Sequence, residues 1–219
     1  MIALRVSLYL VGLYGAYLAG ALRVRATTPE ATRASLLRPL PRATLLVFVT
    51  VAIPTTLQFF FPAILTLLRR DQSRFIAGEW WRLVTPLFVQ DAGATGTIFN
   101  LVSLLIVGSV AERLWGSRRW LAIVAIGGIV SEVIAMSWRP VGAGNSVANF
   151  ALAGSVVVAV CFGRQTPRRA RVAALFALGA HVWLLLLKDI HGAAGIIGVI
   201  VGAGAILRNG GEPTNYSDL

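Results

Sequence analysis

The chain has 219 residues, of which 57% are apolar and 13% charged, and a formal net charge of +11. Soluble domains carry roughly 45–50% apolar and about 25% charged residues, so the composition is that of a membrane protein. The basic excess does not indicate nucleic acid, because the arginines are spread over short segments between apolar runs, where cytoplasmic loops place them.

Taken in chain order, the apolar runs predict seven spans, at about 2–22, 43–68, 98–115, 120–138, 144–162, 172–187 and 190–207. Runs of this length cross a hydrocarbon core of about 30 Å as helices, since lipid offers the backbone no other partner. The first is followed by a basic loop with Arg23, Arg25, Arg33, Arg38 and Arg42. Ala19-Gly20-Ala21 looks like a signal-peptidase site, but the arginines behind it favour a retained helix. The second run contains Pro54 and Pro62, while 69–97 is too polar to span and carries the Trp80-Trp81 pair suited to a membrane interface.

The fold expected is all-α, a polytopic helical bundle in three parts. An extra N-terminal helix and basic loop occupy 1–42, a six-helix core 43–208, and a polar tail 209–219. Thirteen Lys and Arg fall on one side of the seven spans and seven on the other. The richer side is expected in the cytoplasm, with the N-terminus and the Trp81 segment outside. The lone Cys161, within an apolar run, reads as packing and excludes an intramolecular disulfide.

Polar residues within spans are costly, and so are candidate functional groups. They are Gln58, Asn100, Glu132, Ser146, Asn149, His181 and His191. Ser146, Phe150 and Gly154 share one helix face by their spacing of four. His191 opens the last span, and Gly195, Gly198 and Gly202 follow on nearly the same face, a pattern that lets two membrane helices approach closely. A hydroxyl and an imidazole at matched depth are the minimum for nucleophilic catalysis. The residues alone favour blander roles, a serine bonded within its own helix and a histidine reaching the interface.

The remaining polar groups read structurally. Glu112, beside Arg113, ties the inner end of a helix, and Arg82 holds the outer loop. His181 is an alternative base, and Glu132 is protonated, paired or functional. Asp189 stands two residues before His191, about 200° around a helix, and is expected to point away from it.

Four motifs then occur in order. They are Trp81-Arg82-Leu83-x-Thr85-x-x-Phe88; Asn100 with Glu112 and Gly116; Gly144-x-Ser146 with Phe150; and His191 with Gly198. The ordered set, over about 43–207, resembles the rhomboid family of intramembrane serine proteases. The resemblance implies a rhomboid-like six-helix core in which Ser146 attacks a peptide carbonyl and His191 takes its proton. Asn100 and the backbone N–H of Ser146 would hold the oxyanion, Phe150 would stack on the imidazole, and Gly144 and Gly198 would give room.

It implies no metal or cofactor, transmembrane protein substrates cut within the lipid bilayer near its outer face, and a multi-pass protein of a prokaryotic plasma membrane. The departures are Val147 where the family usually has glycine, Gly96 and Gln90 where it has histidines, and one residue inserted before Asn100. They keep open a catalytically inactive rhomboid-like protein that binds membrane clients. A transporter is disfavoured, because no inverted repeat of broken helices is evident.

Overall fold

The structure, a computed structural model, describes residues 2–28 and 40–208. Much of the basic loop, with Arg33 and Arg38, and the polar tail lie outside the described residues. Among the described residues, eight α-helices run in chain order: α1 (Ile2–Thr27), α2 (Arg42–Phe60), α3 (Ala63–Leu68), α4 (Gln72–Ile76), α5 (Gly93–Trp138), α6 (Ser146–Phe162), α7 (Arg168–Leu186) and α8 (Ile190–Arg208). Two-residue strands β1 (Arg70–Asp71) and β2 (Val141–Gly142) pair antiparallel, Arg70 opposite Gly142 and Asp71 opposite Val141.

The protein is an all-α polytopic bundle. Five helices are long and apolar enough to cross a membrane, and α6 is a shorter apolar helix. The 46-residue α5 is two spans in one, divided at Gly116 by a positive φ of 70°. Trp120 Nε1 donates to the Gly108 carbonyl at 3.0 Å, twelve residues back. A straight helix would separate those residues by about 18 Å, so the chain reverses at Gly116. The expected seventh element is thus present, joined to its predecessor without a loop.

The second run is shorter than expected. It breaks after Phe60, where Pro62 has no N–H to continue the ladder. Pro54 is accommodated inside α2. Residues 69–92 form an outer lobe of β1, α4 and two 3₁₀ turns at Trp80–Leu83 and Thr85–Phe88. Arg82 organises this lobe as expected. Its side chain is buried, donates to the Thr66 and Arg69 carbonyls and pairs with Glu79 at 2.6 Å.

Glu112 takes a different partner from the one the sequence suggested. Its carboxylate accepts from the N–H groups of Ala43 and Thr44, the Thr44 hydroxyl and Ser117, capping the first turn of α2. A carboxylate there meets both the orphan donors and the positive end of the helix. Cys161 is half-buried at the end of α6 and packs on the apolar core.

The central pair is α6 and α8. A Cβ on Gly198 would lie 1.9 Å from the Ala151 carbonyl oxygen, and one on Gly154 equally close to that of Gly195. The two backbones touch, which only glycine permits. α1 lies against this pair. Ala16 and Ala19 are buried, and Gly20 leaves room for Val110 and Val156. At its other end Arg23 donates to the Ala159 carbonyl at 2.7 Å and to Thr166 at 2.9 Å.

Candidate active site

At the end of the bundle that carries the outer lobe, the two central helices open into a cavity of about 410 Å³. Ser146, Gly144, Asn100, Phe150 and His191 line it, together with Gly96 and Val147. Ser146 is the first residue of α6 and His191 the second of α8, so close glycine packing deeper in the bundle fixes both at one depth. Ser146 Oγ lies 3.0 Å from His191 Nε2. His181 does not compete. It is fully buried and edge-on to the Phe150 ring at 5.6 Å, and neither ring nitrogen has a hydrogen-bond partner among the described residues.

Asp189 overturns the helical-wheel expectation. Its Oδ1 accepts from His191 Nδ1 at 2.7 Å and from the His191 backbone N–H at 3.1 Å. The reason is local: α8 begins at Ile190, so Asp189 is the residue that caps it and has left the helical path. Capping aspartates turn their oxygens back onto the second or third N–H of the helix they precede. A span start at 190 already implied this, and an angle of 200° applies only between two helical residues.

A carboxylate can only accept, so the Nδ1 proton is assigned to the imidazole, and Nε2 presents its lone pair to Ser146. Burial by itself would raise the Asp189 carboxyl, but hydrogen bonding and charge from His191 and the Tyr9 hydroxyl outweigh it. The group is held well below the usual carboxylate range.

Phe150 meets the imidazole tilted rather than stacked, with centroids 4.9 Å apart at 54°. Tyr9 of α1 also contacts the imidazole, at 4.6 Å and 57°, a residue that no motif in the chain singled out. Tyr9 and Phe150 also meet each other edge to face at 5.7 Å, so the imidazole is one corner of a cluster of three rings.

The oxyanion side is a chain of side-chain amides. Asn100 Nδ2 donates to Gln90 Oε1 at 2.7 Å, and Gln90 Nε2 donates to Asn145 Oδ1 at 2.7 Å. Asn149 closes the ring by donating to the Asn100 carbonyl at 2.8 Å. Gln58 fixes the Gln90 backbone through bonds of 2.6 and 2.9 Å. An amide nitrogen has two hydrogens, so Asn100 keeps one donor beyond its bond to Gln90. The Ser146 N–H, in the first turn of α6, has no helical carbonyl to reach.

Gly144 stands between these groups with φ of +149°. A Cβ there would lie 3.3 Å from Gln90 Oε1, 3.4 Å from Ser146 Oγ and 3.6 Å from Asn100 Nδ2, within the space an oxyanion needs. The segment is clamped by the outer lobe through Gly144 N–H to the Pro86 carbonyl, 2.9 Å, and through Ala143 N–H to Asp91, 2.9 Å. Glu132, left open by the sequence, pairs with Arg70 of β1, both buried at the cavity wall. A histidine at position 96 would not fit as it stands, because a Cβ there comes within 2.3 Å of that of Ala92.

The Rhomboid domain family model matches residues 77–209, more than half of the chain. The chain belongs to the rhomboid family. Among its relatives, the rhomboid is 34% identical to "Rhomboid protease GluP" of Bacillus subtilis (strain 168) over 97 residues, 44% of this chain and 19% of that protein. It is 35% identical to "Putative rhomboid protease YdcA" of the same organism over 91 residues, 40% of this chain and 45% of that one. With "Rhomboid protease AarA" of Providencia stuartii it shares 26% over 156 residues, 58% and 55% of the two chains. The matches therefore span between about a fifth and about half of each relative's length. The rhomboid is an integral, multi-pass membrane protein related to intramembrane proteases.

Proposed function

We propose that this rhomboid is an active serine endopeptidase that cuts transmembrane substrates near the outer membrane face. The observation that carries the reading is the 3.0 Å contact between Ser146 Oγ and His191 Nε2 at the wall of an open cavity. Such a contact turns a weak hydroxyl into a nucleophile. Ser146 Oγ adds to the peptide carbonyl carbon as its proton passes to Nε2. The oxyanion so formed is met by the spare Asn100 Nδ2 hydrogen and the Ser146 N–H. His191 then gives its proton to the leaving amine, leaving an acyl ester on Ser146. A water molecule, deprotonated by the same Nε2, hydrolyses that ester and restores the serine.

The charge asymmetry of the loops supports the outward orientation of the cavity, and the Bacillus relatives suit a prokaryotic plasma membrane. Labelling of Ser217→Cys by an impermeant thiol reagent on intact cells would contradict that orientation. A second reading, an inactive protein that binds membrane clients, draws on Val147, whose side chain lines the cavity next to the nucleophile where the family usually has glycine.

One experiment separates them. The purified wild type should react with a fluorophosphonate probe and cleave a transmembrane substrate in liposomes, and Ser146→Ala should do neither. If the wild type is inert in both assays and Val147→Gly restores both, the client-binding reading takes its place.

A further inference from the structure

The carboxylate beside His191 is itself held by a helix that lies outside the region matching the rhomboid family. Asp189 Oδ2, the oxygen not used by the imidazole, accepts from the Tyr9 hydroxyl at 2.7 Å. Arg5 approaches the same oxygen at 3.4 Å, and Arg139, from the segment after α5, at 3.8 Å. Arg5 also reaches the Leu187 carbonyl at 3.5 Å. Tyr9 and Arg5 are one turn apart on α1, which precedes the family-matched residues 77–209. Resting on the protease reading above, we propose that Asp189 is a positioning residue for His191, and that Tyr9 and Arg5 of α1 hold it in place.

The capping role of Asp189 needs only Oδ1 and the His191 N–H. It requires neither the imidazole contact nor anything on Oδ2. The second oxygen nevertheless has a hydroxyl donor and two guanidinium groups, and the aspartate is fully buried. A buried carboxylate keeps its charge only with such partners, and its depressed protonation is consistent with them. With the charge fixed, the imidazole is held with Nδ1 protonated and Nε2 facing Ser146, the tautomer that a base toward the serine requires. Tyr9 also packs against the imidazole, with centroids 4.6 Å apart and the rings tilted by 57°, so α1 touches both the base and its aspartate.

The chain has two histidines, which permits a test that does not depend on turnover. Full-length protein labelled with ¹⁵N-histidine, in detergent micelles, reports the ring tautomer directly, and His181→Ala assigns the two residues. In the wild type, neutral His191 should carry its proton on Nδ1. Asp189→Asn keeps a good helix cap, yet should bring in the Nε2–H tautomer and slow fluorophosphonate labelling about 100-fold or more. Tyr9→Phe keeps the ring contact and loses one hydrogen bond to a charged group, so labelling should fall about 3- to 10-fold. The double variant should label no more slowly than Asp189→Asn alone, because Tyr9 acts through Asp189. An unchanged tautomer in a folded Asp189→Asn protein overturns the proposal, as does an additive double variant. If the tautomer behaves as expected and the wild type never labels, the protease reading fails and the positioning role stands.

Discussion

The two ends of the α6–α8 pair are built on opposite principles. Deep in the bundle the helices meet backbone to backbone at Gly154 and Gly198, and Trp115 Nε1 donates to Ser155 at 3.1 Å beside Gly202. At the other end the same helices frame a cavity, and they meet through side chains, the hydrogen bond between Ser146 and His191 and the ring contact of Phe150 with His191. The closed end sets the spacing, and the open end uses it. Catalytic geometry tolerates little displacement, so a nucleophile and base on separate helices need a rigid contact elsewhere along them.

The comparison breaks first at the histidines, both of which contact Phe150. His191→Ala should lower the fluorophosphonate labelling rate about a thousandfold or more, as removal of a base does in soluble serine proteases. His181→Ala should stay within about threefold, because that ring is fully buried and makes no hydrogen bond to Ser146 among the described residues. The reverse ranking would identify His181 as the base.

The cavity wall offers the next test. Glu132→Ala leaves Arg70 buried without its carboxylate and should cost about 3–5 kcal/mol of folding stability. Replacing both, as Arg70→Met with Glu132→Leu, should recover most of that loss. Equal destabilisation by the single and double changes would show that the pair does not act as one unit. Detergent unfolding curves followed by circular dichroism provide the measurement.

The smallest effect sharpens the closed end. Gly198→Ala forces its Cβ into the Ala151 carbonyl and should cost about 1–3 kcal/mol while slowing labelling, since it separates Ser146 from His191. Gly204 on the same helix faces open space, and Gly204→Ala should stay within about 0.5 kcal/mol. Equal melting temperatures for the two would mean that the close crossing is absent.

Much of this was legible in the chain, because bilayer thickness and backbone satisfaction leave so few alternatives. Apolar runs of about 20 residues gave the helices, the glycine spacing gave the faces of α6 and α8, and the motif order gave the family. What was misread depended on where a helix begins. Asp189 was assigned an angle on a helix to which it does not belong.

Other features had no local signal at all. Tyr9 lies 180 residues from Asp189, and Gln58 lies 32 from Gln90. No periodicity links positions so distant, and single polar groups on an apolar helix look alike until a partner is placed beside them. Read alone, the chain specified the membrane-spanning helices and their order, because these follow from hydropathy and small-residue spacing, while the pairing of Ser146 with His191 was what the resemblance to rhomboids implied. That α1 packs beside the imidazole, that Asp189 turns back onto it, and that Asn100 is held by an amide chain became visible only in the folded bundle. Those are contacts between side chains brought together by packing, and packing is a property of the assembled bundle rather than of any one segment.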